Sequence, residues 1–140
     1  MNRKVILIFA LIISVNSFGQ ITNELELTGK WSVDEILDKP SNPEYQPLID
    51  GFKNSTFNFK ENQDFELTTT HSSELFAMMM NEVLNEPKWI FETEKQLIRI
   101  GTKEERYTSM EISVSVNKGN LLFHLEESGL TFLMKKRESL

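Results

Sequence analysis

The sequence predicts an all-β protein, an eight-stranded antiparallel up-and-down barrel with one inserted amphipathic helix. Apolar and polar residues alternate in short runs over most of the chain, and short turns containing glycine or asparagine separate several of these runs. Alternation with period two is typical of half-buried strands, and such turns connect hairpins. A meander of eight strands in one domain can remove both sheet edges by closing into a barrel. A partly open sheet and a two-sheet sandwich are the alternatives.

The first predicted strand, 27–37, combines an apolar face with one acidic residue. Leu27, Trp31, Val33 and Leu37 share this predicted inward face, and Glu35 falls on the same face. An unpaired buried charge is costly, so Glu35 is expected at the barrel rim, where it could contact a polar ligand group.

The next four predicted strands form two hairpins. Strands 55–60 and 64–70 flank a turn at 61–63, and strands 88–93 and 96–101 flank a tight turn at 94–95. The residues predicted to face inward are Phe57, Phe59, Phe65, Leu67, Trp89, Phe91, Ile98 and Ile100.

The last three predicted strands, 108–117, 121–126 and 130–136, continue the meander. Two short turns connect them, one around Gly119 and one around Gly129. Their inward residues are predicted to be Met110, Ile112, Val114, Val116, Leu121, Phe123, Leu125 and Phe132.

Two segments break the alternation. Asp38–Lys53 contains three prolines and a glycine, which predicts a long surface loop, and loops of this length are usually functional or disordered. Apolar residues at helical spacing over 73–84, followed by Asn85 and Pro87, predict an amphipathic helix of about three turns. We expect this helix to pack on the sheet; a mobile lid is the alternative.

The amino-terminal segment resembles a secretory signal peptide. Arg3 and Lys4 precede an apolar run over 5–15, and Ser17 and Gly19 are small residues before a cut at Gln20. We therefore expect residues 1–19 to be removed and 20–140 to form one exported domain, periplasmic or extracellular. An uncleaved anchor is the alternative, although the apolar run is short for a bilayer.

Composition excludes several classes of function. Without Arg3 and Lys4, 13 of the 15 basic residues remain against 21 acidic ones, a net charge of −8, which disfavours binding to nucleic acid or anionic lipid. The sequence contains no cysteine, so it offers no lipid-anchor acceptor and no disulfide. Its two histidines, His71 and His124, are predicted to face solvent, and no catalytic constellation, metal site or cofactor motif is recognisable. We therefore expect a non-enzymatic protein without cofactor or membrane anchor.

The segment Leu27-Thr28-Gly29-Lys30-Trp31 resembles the G-x-W motif that opens the first strand of lipocalins. The long segment after this strand and the basic end of the last strand, Lys135-Lys136-Arg137, agree with the resemblance. It implies an antiparallel barrel with Trp31 at its base, a basic side chain across the indole, and a small apolar ligand in the cup. Gly29 and Trp31 match the motif directly, and Arg137 is the candidate for the basic residue.

The expected function is therefore the binding of a small hydrophobic ligand inside the barrel, near the end covered by 38–53. An alternative is a structural or protein-interaction module with a filled interior, because eight inward aromatic residues compete for the space of a narrow barrel. A hydrolase or isomerase on the same scaffold is a third possibility. The candidate ligand contacts are Glu35, Phe59, Phe91, Ile112, Val114 and Phe123.

Overall fold

A computed structural model describes residues 20–71 and 73–138, and the predicted signal peptide lies outside them. Eight antiparallel strands form one sheet, and two short α-helices are inserted between strands, which confirms the predicted all-β class and the number of strands. The elements are β1 (Gly29–Asp38), α1 (Gln46–Lys53), β2 (Ser55–Phe59), β3 (Phe65–Thr69), α2 (Glu74–Val83), β4 (Lys88–Glu92), β5 (Leu97–Gly101), β6 (Met110–Asn117), β7 (Asn120–Leu125) and β8 (Thr131–Arg137).

The sheet closes almost completely into the predicted up-and-down barrel. Its strand order is β3-β2-β1-β8-β7-β6-β5-β4, so β1 pairs with β8 and the barrel closes where β3 meets β4. At this seam, Asp64 and Lys88 form an isolated β-bridge. The Phe65 N–H donates to the Pro87 carbonyl over 3.1 Å, and the Trp89 N–H donates to the Gln63 carbonyl over 2.9 Å.

The barrel has two unlike ends. The end that we call the mouth carries α1, α2, the β5–β6 loop and the β7–β8 turn. The opposite end, the base, carries the short turns that connect β2–β3, β4–β5 and β6–β7. The described chain begins at the base, where the Ile21 N–H donates to Gln96 Oε1 and Gln96 Nε2 donates to the Ile21 carbonyl, both over 2.8 Å.

The interpretation of the second half of β1 was wrong. The pairing of β1 with β8 shifts register between Val33 and Glu35 and again between Ile36 and Asp38. A single shift of register reverses which side chains face inward. Ile36 therefore packs against the core, Leu37 is 49% exposed, and Glu35 is exposed as well.

The interpretation of 38–53 as a surface loop was also wrong, so the barrel carries two helices rather than one. A 3₁₀ turn over Pro43–Tyr45 begins at Asn42, whose side chain accepts the Glu44 N–H over 3.0 Å, and it leads directly into α1. Proline is well tolerated in the first turn of a helix because that N–H needs no intrahelical partner. Ile49 and Phe52, three residues apart, are the buried side chains of α1.

The second helix, α2, confirms the helix predicted over 73–84. Ser73 lies at its N-cap position, and its hydroxyl accepts the Phe76 N–H over 3.1 Å. Such a cap typically contributes about 1 kcal/mol to helix stability. Neither helix of the described residues is long and apolar enough to cross a membrane.

Aromatic side chains fill the middle of the barrel. The ring of Phe57 alone contacts five other phenylalanine rings, with centroids 5.8–6.4 Å away. Among the described residues, Ser55 is the one buried polar side chain, and its hydroxyl donates to the Gly51 carbonyl over 2.7 Å. An eight-stranded barrel is only just wide enough for side chains or one small ligand, and here rings occupy that space. The fully buried aromatic residues are Phe52, Phe57, Phe59, Phe76, Trp89, Phe123 and Phe132.

Candidate functional site

A cleft of about 240 Å³ opens at the mouth, between the two helices and the adjacent ends of β6 and β7. We call it the mouth cleft. Its apolar wall combines side chains from α1 and the preceding turn, from α2, and from the two strands. The apolar residues are Tyr45, Leu48, Phe52, Met79, Met80, Val83, Met110 and Leu125, and the polar ones are Ser109, Glu111, Glu127 and Ser128.

Phe52 connects the wall of the mouth cleft with the aromatic core. Its ring lies 5.4 Å from that of Phe132 and 6.1 Å from that of Phe57, centroid to centroid. Phe76 of α2 packs edge-on against it at 5.2 Å, with an angle of 86° between the ring planes. The cleft thus ends at the upper layer of the core and does not extend through the barrel.

The one buried side chain of helix α2 contacts α1. Phe76 is the one buried residue of α2, and its ring lies directly against Gly51. A Cβ atom at position 51 would overlap this ring, lying 2.5 Å from Cε2 and nearer still to Cγ and Cδ2. Glycine at 51 is therefore what allows the two helices to meet so closely.

The carbonyl of Gly51 also fastens α1 to the sheet. It accepts the Ser55 hydroxyl over 2.7 Å and the Thr69 hydroxyl over 3.1 Å, so β2 and β3 both hold this helix. Ile49 and Phe52 add buried apolar contacts on the same side. Helix α1 is thus a firm wall of the cleft, whereas α2 rests on it through Phe76.

Part of the apolar surface of α2 has no partner among the described residues. Leu75 is 51% exposed, Met78 is 61% exposed and Met79 is 37% exposed. Met79 belongs both to this flank and to the mouth cleft, so the exposed apolar surface continues into the cleft.

The charges at the cleft are acidic. Glu111 is paired with Arg99 over 3.1 Å, and the same guanidinium lies 2.7 Å from Glu92. Glu127 takes part in none of the ion pairs formed within residues 20–71 and 73–138. Among the described residues that line the cleft, none is lysine, arginine or histidine.

Comparisons of the chain with models of protein families, with curated proteins and with solved structures found no match. The resemblance to lipocalins therefore stays a prediction. Function has to be inferred from the site, because one fold can support many functions.

The predicted ligand contacts do not meet at the mouth cleft. Phe59, Ile112, Val114 and Phe123 are buried in the core. Phe91 is half-buried and packs against that core. Glu35 lies instead in a separate groove between β1 and α1, which Lys39 and Asp50 also line.

The cleft residues of α1 and of the turn before it were not predicted, because three prolines made 38–53 resemble a loop. Tyr45, Leu48 and Phe52 recur at intervals of three and four, the spacing of one helix face, and this signal was present. The methionines of α2 were recognised as helical but not as a wall of the site.

The residues of the lipocalin-like motif lie near the base. Gly29 has φ = 111°, a conformation that favours glycine, and the Trp31 indole N–H donates to the Leu27 carbonyl over 2.9 Å. Trp31 is half-buried, and the cation over its ring is Lys136, whose Nζ lies 5.3 Å from the centroid. The choice of Arg137 was wrong because Trp31 pairs with Lys136, so strand alternation places the next residue on the other face.

Neither histidine belongs to the cleft. Nδ1 of His124 lies 2.8 Å from the Thr131 hydroxyl, and His71 is exposed. Residues 20–71 and 73–138 contain no group of three or more histidine, aspartate or glutamate side chains placed to hold a metal ion.

Proposed function

We propose that this protein is a non-enzymatic, lipocalin-like binding protein that holds a small apolar ligand in the mouth cleft. The observation that carries the proposal is a mainly apolar concavity with a few polar groups at the open end of a barrel. Barrel mouths are a preferred place for small-molecule sites, which typically combine apolar walls with a few polar groups.

The ligand would bind at the mouth rather than deep in the barrel. Rings of Phe57, Phe59 and Phe123 already occupy the interior, with centroids 5.8–6.4 Å apart. The cleft of about 240 Å³ is smaller than the roughly 300–1,000 Å³ of pockets for drug-sized ligands. Its size therefore favours a single ring or a short alkyl chain over a long fatty acid.

The attachment of α2 supports ligand entry from this side. Phe76 is its one buried residue, whereas Met79 and Met80 line the cleft and are exposed or half-buried. Methionine is flexible and polarizable, and it adapts to ligands of irregular shape. A helix with few buried contacts is also among the elements that open at low free-energy cost.

Export belongs to the same proposal. The basic start, the apolar run over 5–15 and the small residues before Gln20 support an exported protein in the periplasm or outside the cell. An apolar carrier of this kind would meet its ligand in that compartment.

The test is a titration of ¹⁵N-labelled protein (residues 20–140) with 1-hexanol, followed by amide chemical shifts. We expect saturable shifts in α1, α2 and the β7–β8 turn, and small ones in β2 and β5. Met79→Trp should reduce binding because the larger side chain fills the cleft. Met78→Trp, on the exposed flank, is the matched control and should bind as the wild type does. Absence of saturable shifts, or equal binding by both variants, would refute the proposal.

A second candidate is a protein-interaction module that uses the exposed flank of α2, Leu75 and Met78. Specific interfaces usually bury about 800 Å² on each partner, whereas the largest apolar patch of a typical monomer is about 300–600 Å². The apolar area of this flank alone is therefore small for a stable complex, and the ligand-binding proposal is preferred. Sedimentation velocity of the wild type and of Leu75→Gln/Met78→Gln would detect self-association through this flank.

A further inference from the structure

We propose that the mouth cleft selects small amphipathic cations, that is, a short apolar body with an ammonium head, over neutral and anionic analogues. This inference rests on the proposed function, since it names the class of ligand for the same site. It comes from the charges of the residues that line the cleft.

The acidic side chains of the cleft are not equivalent. Glu111 already has a cationic partner, since Arg99 Nη1 lies 3.1 Å from its Oε1. Glu127 is exposed in the β7–β8 turn and takes part in no ion pair within the described residues. Its carboxylate is therefore the charge available to a ligand head at the edge of the cleft.

The remaining polar and aromatic groups of the cleft suit a cation as well. Tyr45 is half-buried in the wall, and an aromatic face attracts an ammonium group. The hydroxyls of Ser109 and Ser128 can accept hydrogen bonds from it. Hydroxyl groups can bind a cation or an anion, so the preference for a cationic ligand has to come from Glu127.

The same arrangement disfavours a fatty acid. A ligand carboxylate would lie near Glu127, and no basic side chain among the described lining residues would compensate the repulsion. Exposed charge pairs have modest effects on binding. We therefore expect the cation to bind about two- to fivefold more tightly than the neutral analogue, and the neutral analogue to bind more tightly than the anion by a similar factor. Added salt should reduce both differences in affinity because it screens exposed charges.

The experiment compares three probes with the same six-carbon chain: hexylammonium, 1-hexanol and hexanoate. Each is titrated into the ¹⁵N-labelled protein (residues 20–140) at pH 7 and low salt, and dissociation constants are taken from the amide shifts of α1, α2 and the β7–β8 turn. The expected order of affinity is hexylammonium, then 1-hexanol, then hexanoate. Glu127→Gln should bring the three constants together, and Glu127→Lys should reverse the order.

Glu126→Gln is the matched control. Glu126 is the neighbouring exposed carboxylate, it is hydrogen-bonded to Ser113, and it does not line the cleft, so its neutralisation should preserve the order. If none of the probes binds, the proposed function itself fails. If all three bind with equal affinity, or if Glu126→Gln removes the preference as fully as Glu127→Gln, ligand binding stands and the inference of a cationic ligand is overturned.

Discussion

The contact between Gly51 and Phe76 predicts that Gly51→Ala destabilises the wild-type protein but stabilises a variant that lacks the Phe76 ring. Gly51 lies inside α1, where alanine is normally the better helix former by about 0.5–1 kcal/mol. Here a Cβ would lie 2.5 Å from Phe76 Cε2 and nearer still to two other ring atoms, whereas a relaxed carbon–carbon contact is about 3.5–4.0 Å. Because the carbonyl of Gly51 is fixed by two hydroxyls, we expect the ring to move and α1 to stay.

The magnitude follows from what Phe76 loses when it is displaced. Exposing a buried phenylalanine costs about 1.5–3 kcal/mol, and losing the edge-on contact with Phe52 costs about 0.5–1.5 kcal/mol more. Subtracting the gain in helix propensity leaves Gly51→Ala destabilised by about 1–4 kcal/mol. In a Phe76→Ala background the obstacle is gone, and Gly51→Ala should stabilise by about 0.5–1 kcal/mol.

Urea unfolding of the four proteins, followed by tryptophan fluorescence, measures this cycle. Trp89 is fully buried and reports on the barrel core. The midpoint should fall for Gly51→Ala in the wild-type background and rise for the same substitution beside Phe76→Ala. A loss of equal size in both backgrounds would show that the glycine is needed for another reason, and the account of how α2 docks would be refuted.

Three further predictions concern the base, the seam and the start of the chain. Trp89→Ala should destabilise by about 3–5 kcal/mol and Trp31→Ala by about half as much, because Trp89 is fully buried and Trp31 only half-buried; equal urea midpoints would contradict this. The hydrogen bond from Lys88 holds the pKa of Asp64 below its ordinary value of 3.8, so the pair stabilises the fold above about pH 4 and this contribution is lost as the pH falls below that range. Asp64→Asn should therefore flatten the dependence of the urea midpoint on pH between 5 and 2, and an unchanged slope would contradict it. Mass spectrometry of the native protein should find an amino terminus within a residue or two of Gln20, whereas an intact Met1 species would exclude cleavage.

The strands were predictable because their signal is local. In β6 and β7 each inward residue alternates with an outward one, and the turn at Gly119 is short, so the sequence contains both the period and the register. The second half of β1 was not predictable in this way. Its register shifts occur where Glu35 and Ile36 pair with β8, almost a hundred residues later, and no local pattern specifies that partner.

The candidate site was predictable only in part, since it depends on tertiary packing. The sequence indicated the helix over 73–84, but not that Phe76 would be its one buried residue. It also indicated that aromatic side chains compete for the interior, which the rings around Phe57 now occupy. The mouth cleft itself requires α1, α2 and the ends of β6 and β7 to come together, and no single segment encodes that arrangement.

Successive connections lie alternately at the mouth and at the base, so the residues that line the opening are separated from the turns at the base. The connections that contain α1 and α2, the β5–β6 loop and the β7–β8 turn meet at the mouth, whereas the β2–β3, β4–β5 and β6–β7 turns lie at the base. Both ends of the described chain are there too, with Ile21 bonded to Gln96 and Arg137 paired with Lys30. Exposed residues of the mouth segments can therefore be varied with little effect on strand pairing, provided that the core residues Ile49, Phe52 and Phe76 are kept. A fusion partner or a solid support joined close to Ile21 or Arg137 lies at the end opposite the opening. The molecule is thus a compact scaffold for selecting new binding proteins.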